Sequence, residues 1–176
     1  MQNKKIILNK EIQTFIETPA FLFTTKIKID FNYFIKRIDQ GILEENNKNY
    51  ITSVGSKMTD WNYFINDNAF LRQVSEPAIN VIENRLKKVE KFKLQNAWGL
   101  KQEKNEKTHR HDHDRSYFSG VVYLNQCGQI LYFDSILQEI KPEKGLMAIF
   151  SGNLEHYTHK NMSNTKYALS FNYVRI

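Results

Sequence analysis

The sequence predicts an α+β chain, mainly β, in which an antiparallel sandwich or jelly-roll barrel is backed by helices. Three observations predict it. Apolar residues recur at spacings of three and four in the first half, the period changes to alternation after Lys91, and the alternating stretches are short and divided by turn-forming residues.

Phe21 to Ile29 alternates into Lys26-Ile27-Lys28-Ile29, the pattern of a half-buried strand. Asp30 then caps a helix whose Phe31, Phe34, Ile35, Ile38 and Ile42 form one apolar stripe, with Gly41 near its end. A polar loop, Glu44 to Asn49, follows. Ser75 is the expected N-cap of a second helix, with Pro77 in its first turn and Ala78, Val81, Ile82, Leu86 and Val89 as its buried face. Thr52 to Asn66 connects the two helices; its Trp61, Tyr63 and Phe64 suit either a lid over a site or core packing. Beyond Lys91, strands are expected at Leu94 to Leu100, Phe118 to Leu124, Gln129 to Phe133, Leu146 to Phe150 and Lys166 to Val174. Turns at Asn125 to Gly128, Lys141 to Gly145 and Asn161 to Asn164 separate the later ones.

A chain of 176 residues that is 41% hydrophobic suits a single domain. Residues 1–92 are expected to give helical support and a lid, and 93–176 the jelly-roll core. With only 7 Gly and 3 Pro there is little material for linkers, which excludes disordered and fibrous classes. The single cysteine, Cys127, cannot close an internal disulfide and points to a reducing compartment. Met1 to Leu8 has only a short apolar run, unlike a secretory signal, and no window reaches the ~20 apolar residues of a membrane helix. A soluble, cytoplasmic protein is expected. The net charge of +6 is densest from Arg85 to Lys107, but Glu83, Glu90, Glu103 and Glu106 are interleaved there. That mixture predicts a solvated face rather than a phosphate-tracking stripe, so neither nucleic acid nor membrane is an expected partner.

All five histidines lie between residues 109 and 159. Three stand in His109-Arg110-His111-Asp112-His113, and His156 and His159 follow. Residues i and i+2 of a strand share a face, so His111 and His113, or His109 and His111, can present two imidazoles to one ion. His156 follows the strand Leu146 to Phe150 by the short turn Ser151-Gly152-Asn153-Leu154, which can carry it across a barrel to the pair. Three protein ligands leave open coordination positions, the mark of catalytic rather than structural metal sites. The plain alternative is a solvated histidine-rich turn whose rings never converge.

The order of motifs resembles the double-stranded β-helix oxygenases that use Fe(II) and 2-oxoglutarate, in particular a small branch similar to prolyl hydroxylases. The resemblance rests on Trp98, His111-Asp112-His113, Ser119-Gly120, Val121-Val122-Tyr123-Leu124-Asn125, Gly128 to Asp134, Pro142, Gly145, Phe150 to His156 and Thr165 to Tyr173. It covers residues 94 to 176 well and the first half loosely, through Thr59-Asp60-Trp61. It implies a double-stranded β-helix core with Fe(II), 2-oxoglutarate and O2 as metal and cosubstrates. His111 and His156 match metal ligands, His113 occupies the second ligand's position, Lys166 matches the basic residue that pairs with the distal carboxylate of 2-oxoglutarate, and Tyr123 matches a supporting tyrosine. The alternation agrees: Lys166, Ala168, Ser170 and Asn172 share one face of the last strand, small and polar enough to line a cofactor cavity.

Two departures stand out. Most of the superfamily has His-X-Asp, whereas here His113 follows His111, leaving Asp112, Asp114 or His109 as alternative ligands or supports. Many relatives have Arg where this chain has Lys166, and Arg175 is the other candidate anchor. The resemblance implies an Fe(II)- and 2-oxoglutarate-dependent dioxygenase that hydroxylates an unactivated C–H bond, with a prolyl residue of a protein or peptide as substrate. A three-histidine cupin-type dioxygenase that does not use 2-oxoglutarate, and a non-enzymatic barrel that binds a ligand or protein, are the rival readings.

Overall fold

The computed structural model describes residues 5–8, 11–15, 19–45, 54–86 and 90–176. Val89 of the expected apolar stripe, most of the polar loop at 44–49 and Thr52 lie outside them. Eight strands form one antiparallel sheet in the order β1 (Lys5–Leu8), β2 (Glu11–Phe15), β3 (Pro19–Lys26), β11 (Leu146–Ser151), β8 (Phe118–Tyr123), β13 (Lys166–Arg175), β6 (Phe92–Gln102) and β5 (Lys57–Met58). Facing it is a small sheet of β10 (Gln138–Ile140), β9 (Leu131–Phe133) and β12 (Tyr157–Thr158), and β4 (Val54–Gly55) pairs with β7 (Lys107–Thr108). A bridge between His111 and His156 continues the smaller layer past β12.

Alternation along the large sheet sorts its side chains onto two faces. Phe118, Val122, Leu169, Phe171 and Tyr173 point one way, into a core shared with Phe34, Ile38, Phe64, Phe70 and Ile82 from the N-terminal half. Tyr123, Ala148, Phe150 and Ala168 point the other way and meet Leu131, Phe133, Ile136 and Leu154 of the smaller layer. This jelly-roll arrangement is the predicted one, and it leaves the cavity between the layers. No helix among the described residues is long and apolar enough to cross a membrane.

Helix α1 (Phe31–Glu45) begins as expected: the Asp30 carboxylate accepts from the Tyr33 amide at 3.0 Å. Gly41 does not end it. Gly41 lies buried where a Cβ would fall 2.7 Å from Thr59 and Tyr63, so it serves close packing in the helix body. The second helical stretch starts earlier than its sequence suggests. Asp67, not Ser75, is the cap, its Oδ1 accepting from Ala69 and Phe70 at 2.9 Å. The chain then runs through α2 (Asn68–Phe70), a π-helical turn (Leu71–Ser75) and α3 (Glu76–Leu86). The wide turn sits directly before Pro77, whose ring would clash with the carbonyl of a regular α-turn. Ser75 is buried there, its hydroxyl 2.8 Å from that of Tyr173.

Between the helices, Thr59 to Phe64 is hydrogen-bonded along β6. The amides of Thr59 and Phe64 donate to Gly99 and Ala97, and the amide of Ala97 donates to Trp61. Phe64 is fully buried, and Trp61 packs edge-on against Trp98 at 4.6 Å.

Candidate metal centre

His111, His113 and His156 converge. One ring nitrogen from each lies within 4.8 Å of the others, and the ring centroids are 4.4 to 5.3 Å apart. Backbone pairing brings them together. The amides of His111 and His156 each donate to the other's carbonyl, at 3.2 and 2.9 Å, and the amide of His113 donates to Gly152 at 2.7 Å. Gly152 is required at that crossing, since a Cβ would fall 1.9 Å from the Ser116 carbonyl and 2.6 Å from that of His113.

Two of the rings are oriented by their own backbone. Nδ1 of His111 is 2.8 Å from the His109 carbonyl and Nδ1 of His156 is 3.0 Å from the Leu154 carbonyl. A carbonyl only accepts, so each Nδ1 carries the proton and each Nε2 presents a lone pair. Burial lowers the pKa of His156 to about 3, with His111 adding to the effect, and that of His113 to about 4; burial lowers His111 as well. All three are therefore neutral imidazoles near neutral pH. Three imidazoles of this kind fit a divalent transition ion.

A cavity opens beside them, between the two layers. Trp98, Leu131 and Phe150 supply apolar wall, and Lys166, Tyr123 and Ser170 line it. Lys166 is 4% exposed and, among the described residues, its ammonium faces no carboxylate. Burial pushes it down to about 8, against a small upward pull from Cys127. The Tyr123 hydroxyl is buried as well, and burial raises its pKa. The cavity thus has metal-ligand chemistry at one place and an uncompensated cation at another.

The remaining candidates lie elsewhere. His109, Asp112 and Asp114 are exposed and outside the three-histidine group. His159 packs on Tyr132 and Tyr157 at the surface. Arg175 is exposed, 3.4 Å from Glu90, and does not line the cavity. Sequence reasoning passed over Thr108 and Thr158, buried cavity residues joined by the Thr108 amide donating to the Thr158 hydroxyl at 2.9 Å. The available signal was spacing, for Thr158 stands two residues after His156 and shares its side of the strand.

No protein-family model and no curated protein sequence matches the chain. Solved structures do. A viral collagen prolyl hydroxylase from Paramecium bursaria Chlorella virus-1, in complex with 2-oxoglutarate, superposes with a TM-score of 0.69 at 14% identity, over 88% of this chain and 95% of that one. A prolyl hydroxylase from Trichoplax adhaerens, in complex with a peptide fragment of the hypoxia-inducible factor oxygen degradation domain, gives 0.57 at 13% identity, over 87% and 83%. The Streptomyces hygroscopicus protein HygX, with nickel, 2-oxoglutarate and hygromycin B bound, gives 0.60 at 13%, over 87% and 82%. This chain has the double-stranded β-helix fold of those proteins.

Proposed function

We propose that the chain is an Fe(II)- and 2-oxoglutarate-dependent dioxygenase that hydroxylates an unactivated C–H bond, with a prolyl residue of a protein or peptide as its substrate. The observation that carries this reading is one cavity holding both the neutral three-histidine group and the buried Lys166. His111, His113 and His156 would hold the metal. Lys166, supported by Tyr123, would take the distal carboxylate of 2-oxoglutarate, with Ser170 lining the space between.

When bound, iron and its cosubstrate supply the activation of O2, coupled to oxidative decarboxylation to succinate. The chain's own part is placement. The carbonyls of His109 and Leu154 fix the ring tautomers, the ammonium of Lys166 supplies the charge a carboxylate needs away from water, and Trp98, Leu131 and Phe150 keep the cavity apolar. The prolyl half of the reading is supported by the likeness to two prolyl hydroxylases and by the Trp61–Trp98 pair beside the histidines, an aromatic surface suited to a pyrrolidine ring.

The test is oxygen-dependent succinate release from 2-oxoglutarate with added Fe(II), across a panel of proline-containing peptides. Wild type is expected to release succinate and hydroxylate at least one peptide, and His156→Ala to do neither. The all-histidine ligand set also favours a cupin-type dioxygenase without 2-oxoglutarate. Oxygen consumption without succinate would select that reading.

A further inference from the structure

Register across the large sheet arranges the cavity wall in rows. Phe150 pairs with Ser119, Ser119 with Asn172, and Asn172 with Asn96; further along the same strands Val121 pairs with Ser170 and Ser170 with Trp98. The histidines sit over these rows, His156 4.7 Å from the Phe150 ring and His113 6.2 Å from the Trp98 ring. Lys166 lies beyond Ser170 on β13 and Asn172 lies before the bulge near its other end, so the two stand at opposite ends of the cavity-facing run of one strand. If Lys166 takes the carboxylate of the cosubstrate, the row holding Asn172 is left for the substrate.

Asn172 is 5% exposed, lines the cavity, and is held by the Ser119 hydroxyl, which donates to its Oδ1 at 2.7 Å. Its Nδ2 then has two hydrogens and no partner among the described residues. Because Asn172 lines the cavity and its Nδ2 is not fully shut away, that amide is a donor open to a ligand that supplies an acceptor. A proline-rich strand is a matching ligand. Its X–Pro peptide groups have no N–H, and the polyproline II form has no internal hydrogen bonds, so its carbonyls are free acceptors.

Resting on the function proposed above, we propose that Asn172, fixed by Ser119, is a substrate-positioning residue that donates its Nδ2–H to a backbone carbonyl of a proline-rich segment lying against Trp98 and Trp61. The two tryptophans take the ring and Asn172 sets the register, which decides which ring carbon faces the metal. Asn172 acts on the peptide and leaves the cosubstrate to Lys166.

The experiment is a tryptophan-fluorescence titration of the full chain with a poly-L-proline decamer, with a Gly/Ser decamer as control, beside a titration with 2-oxoglutarate in the presence of Ni(II). Wild type is expected to bind the proline decamer and not the control. Asn172→Ala is expected to weaken that binding about five- to tenfold, one hydrogen bond's worth, and Ser119→Ala by less, while 2-oxoglutarate affinity is unchanged in both. Asn172→Asp keeps the shape and the Ser119 bond but has no N–H, and is expected to lose as much as Asn172→Ala, which holds the test open should the alanine variant fold poorly. Equal binding of the decamer by wild type and Asn172→Asp overturns the proposal. So does a wild type that ignores the decamer; succinate release in the same preparation then leaves the dioxygenase reading standing, and its absence removes both.

Discussion

Replacing Lys166 by methionine is expected to stabilise the empty protein and to abolish its response to 2-oxoglutarate. The ammonium is 4% exposed without a carboxylate partner among the described residues, and burial lowers its pKa from 10.5 to about 8. At ~1.4 kcal/mol for each pH unit, that difference puts about 3 kcal/mol of folding free energy into keeping a charge out of water. Below pH 8 folded and unfolded chains are both charged and the whole cost is present; it fades as pH rises from 8 to 10.5, where only the unfolded chain is still protonated. Methionine fills similar space without charge, so at pH 7 the variant is expected to melt roughly 6–12 °C higher, given ~2–4 °C per kcal/mol for a chain of this size. In the wild type an arriving carboxylate restores the ammonium. Binding therefore takes up a proton above pH 8, and affinity is expected to fall by up to about tenfold per pH unit there. In Lys166→Met that dependence disappears and affinity drops by about 2–5 kcal/mol. Thermal melts with and without 2-oxoglutarate and Ni(II), and calorimetric titration from pH 7 to 9.5, measure both effects. A methionine variant that is less stable than wild type and still binds 2-oxoglutarate with the same affinity would refute the reasoning.

Three more outcomes follow from the same geometry. Because His113 and His156 stay neutral in the fold down to about pH 4 and 3 while an unfolded histidine protonates near ~6.5, the metal-free protein should lose about 2 kcal/mol for each by pH 5; denaturant unfolding from pH 7.5 to 5 reads this, and a flat profile contradicts it. Metal affinity should for the same reason hold well below pH 6 rather than fall through the ordinary histidine range, as equilibrium dialysis against Ni(II) would show. Gly152→Ala, whose Cβ meets two carbonyls, should cost at least ~2 kcal/mol of stability and weaken metal binding more than Asp114→Asn or Arg175→Ala. Those two exposed positions should leave metal and 2-oxoglutarate binding as they are, and iron loss in Asp114→Asn would bring a carboxylate into the ligand set.

The sequence made the site more legible than the scaffold. His111 and His113 were readable as a pair from their i, i+2 spacing, although His111 sits in an isolated bridge and His113 in no strand; Lys166 and Asn172 were readable as cavity residues from the small and polar run on one side of β13. Of the smaller layer only β9 was readable, within the expected strand from Gln129 to Phe133; β10 and β12 have three and two residues and are too short to show any period. Ser75 and Pro77 obey the local rule for a helix start, yet tertiary contact with Tyr173 places Ser75 inside a longer helical stretch. β1 and β2 escaped notice because each is brief and pairs only within the hairpin series that ends on β3.

The reciprocal bridge between His111 and His156 has a mechanical meaning. Two residues that exchange both amide bonds hold their Cα atoms ~5.5 Å apart, so the spacing of these two rings is inherited from peptide geometry instead of side-chain packing. An ion gripping both rings would act as a rivet through that joint, and could leave only as fast as the joint springs open. Metal exchange and hydrogen exchange at the His111 and His156 amides would then share one clock, and the residence time of the ion would report how often this seam of the barrel breathes.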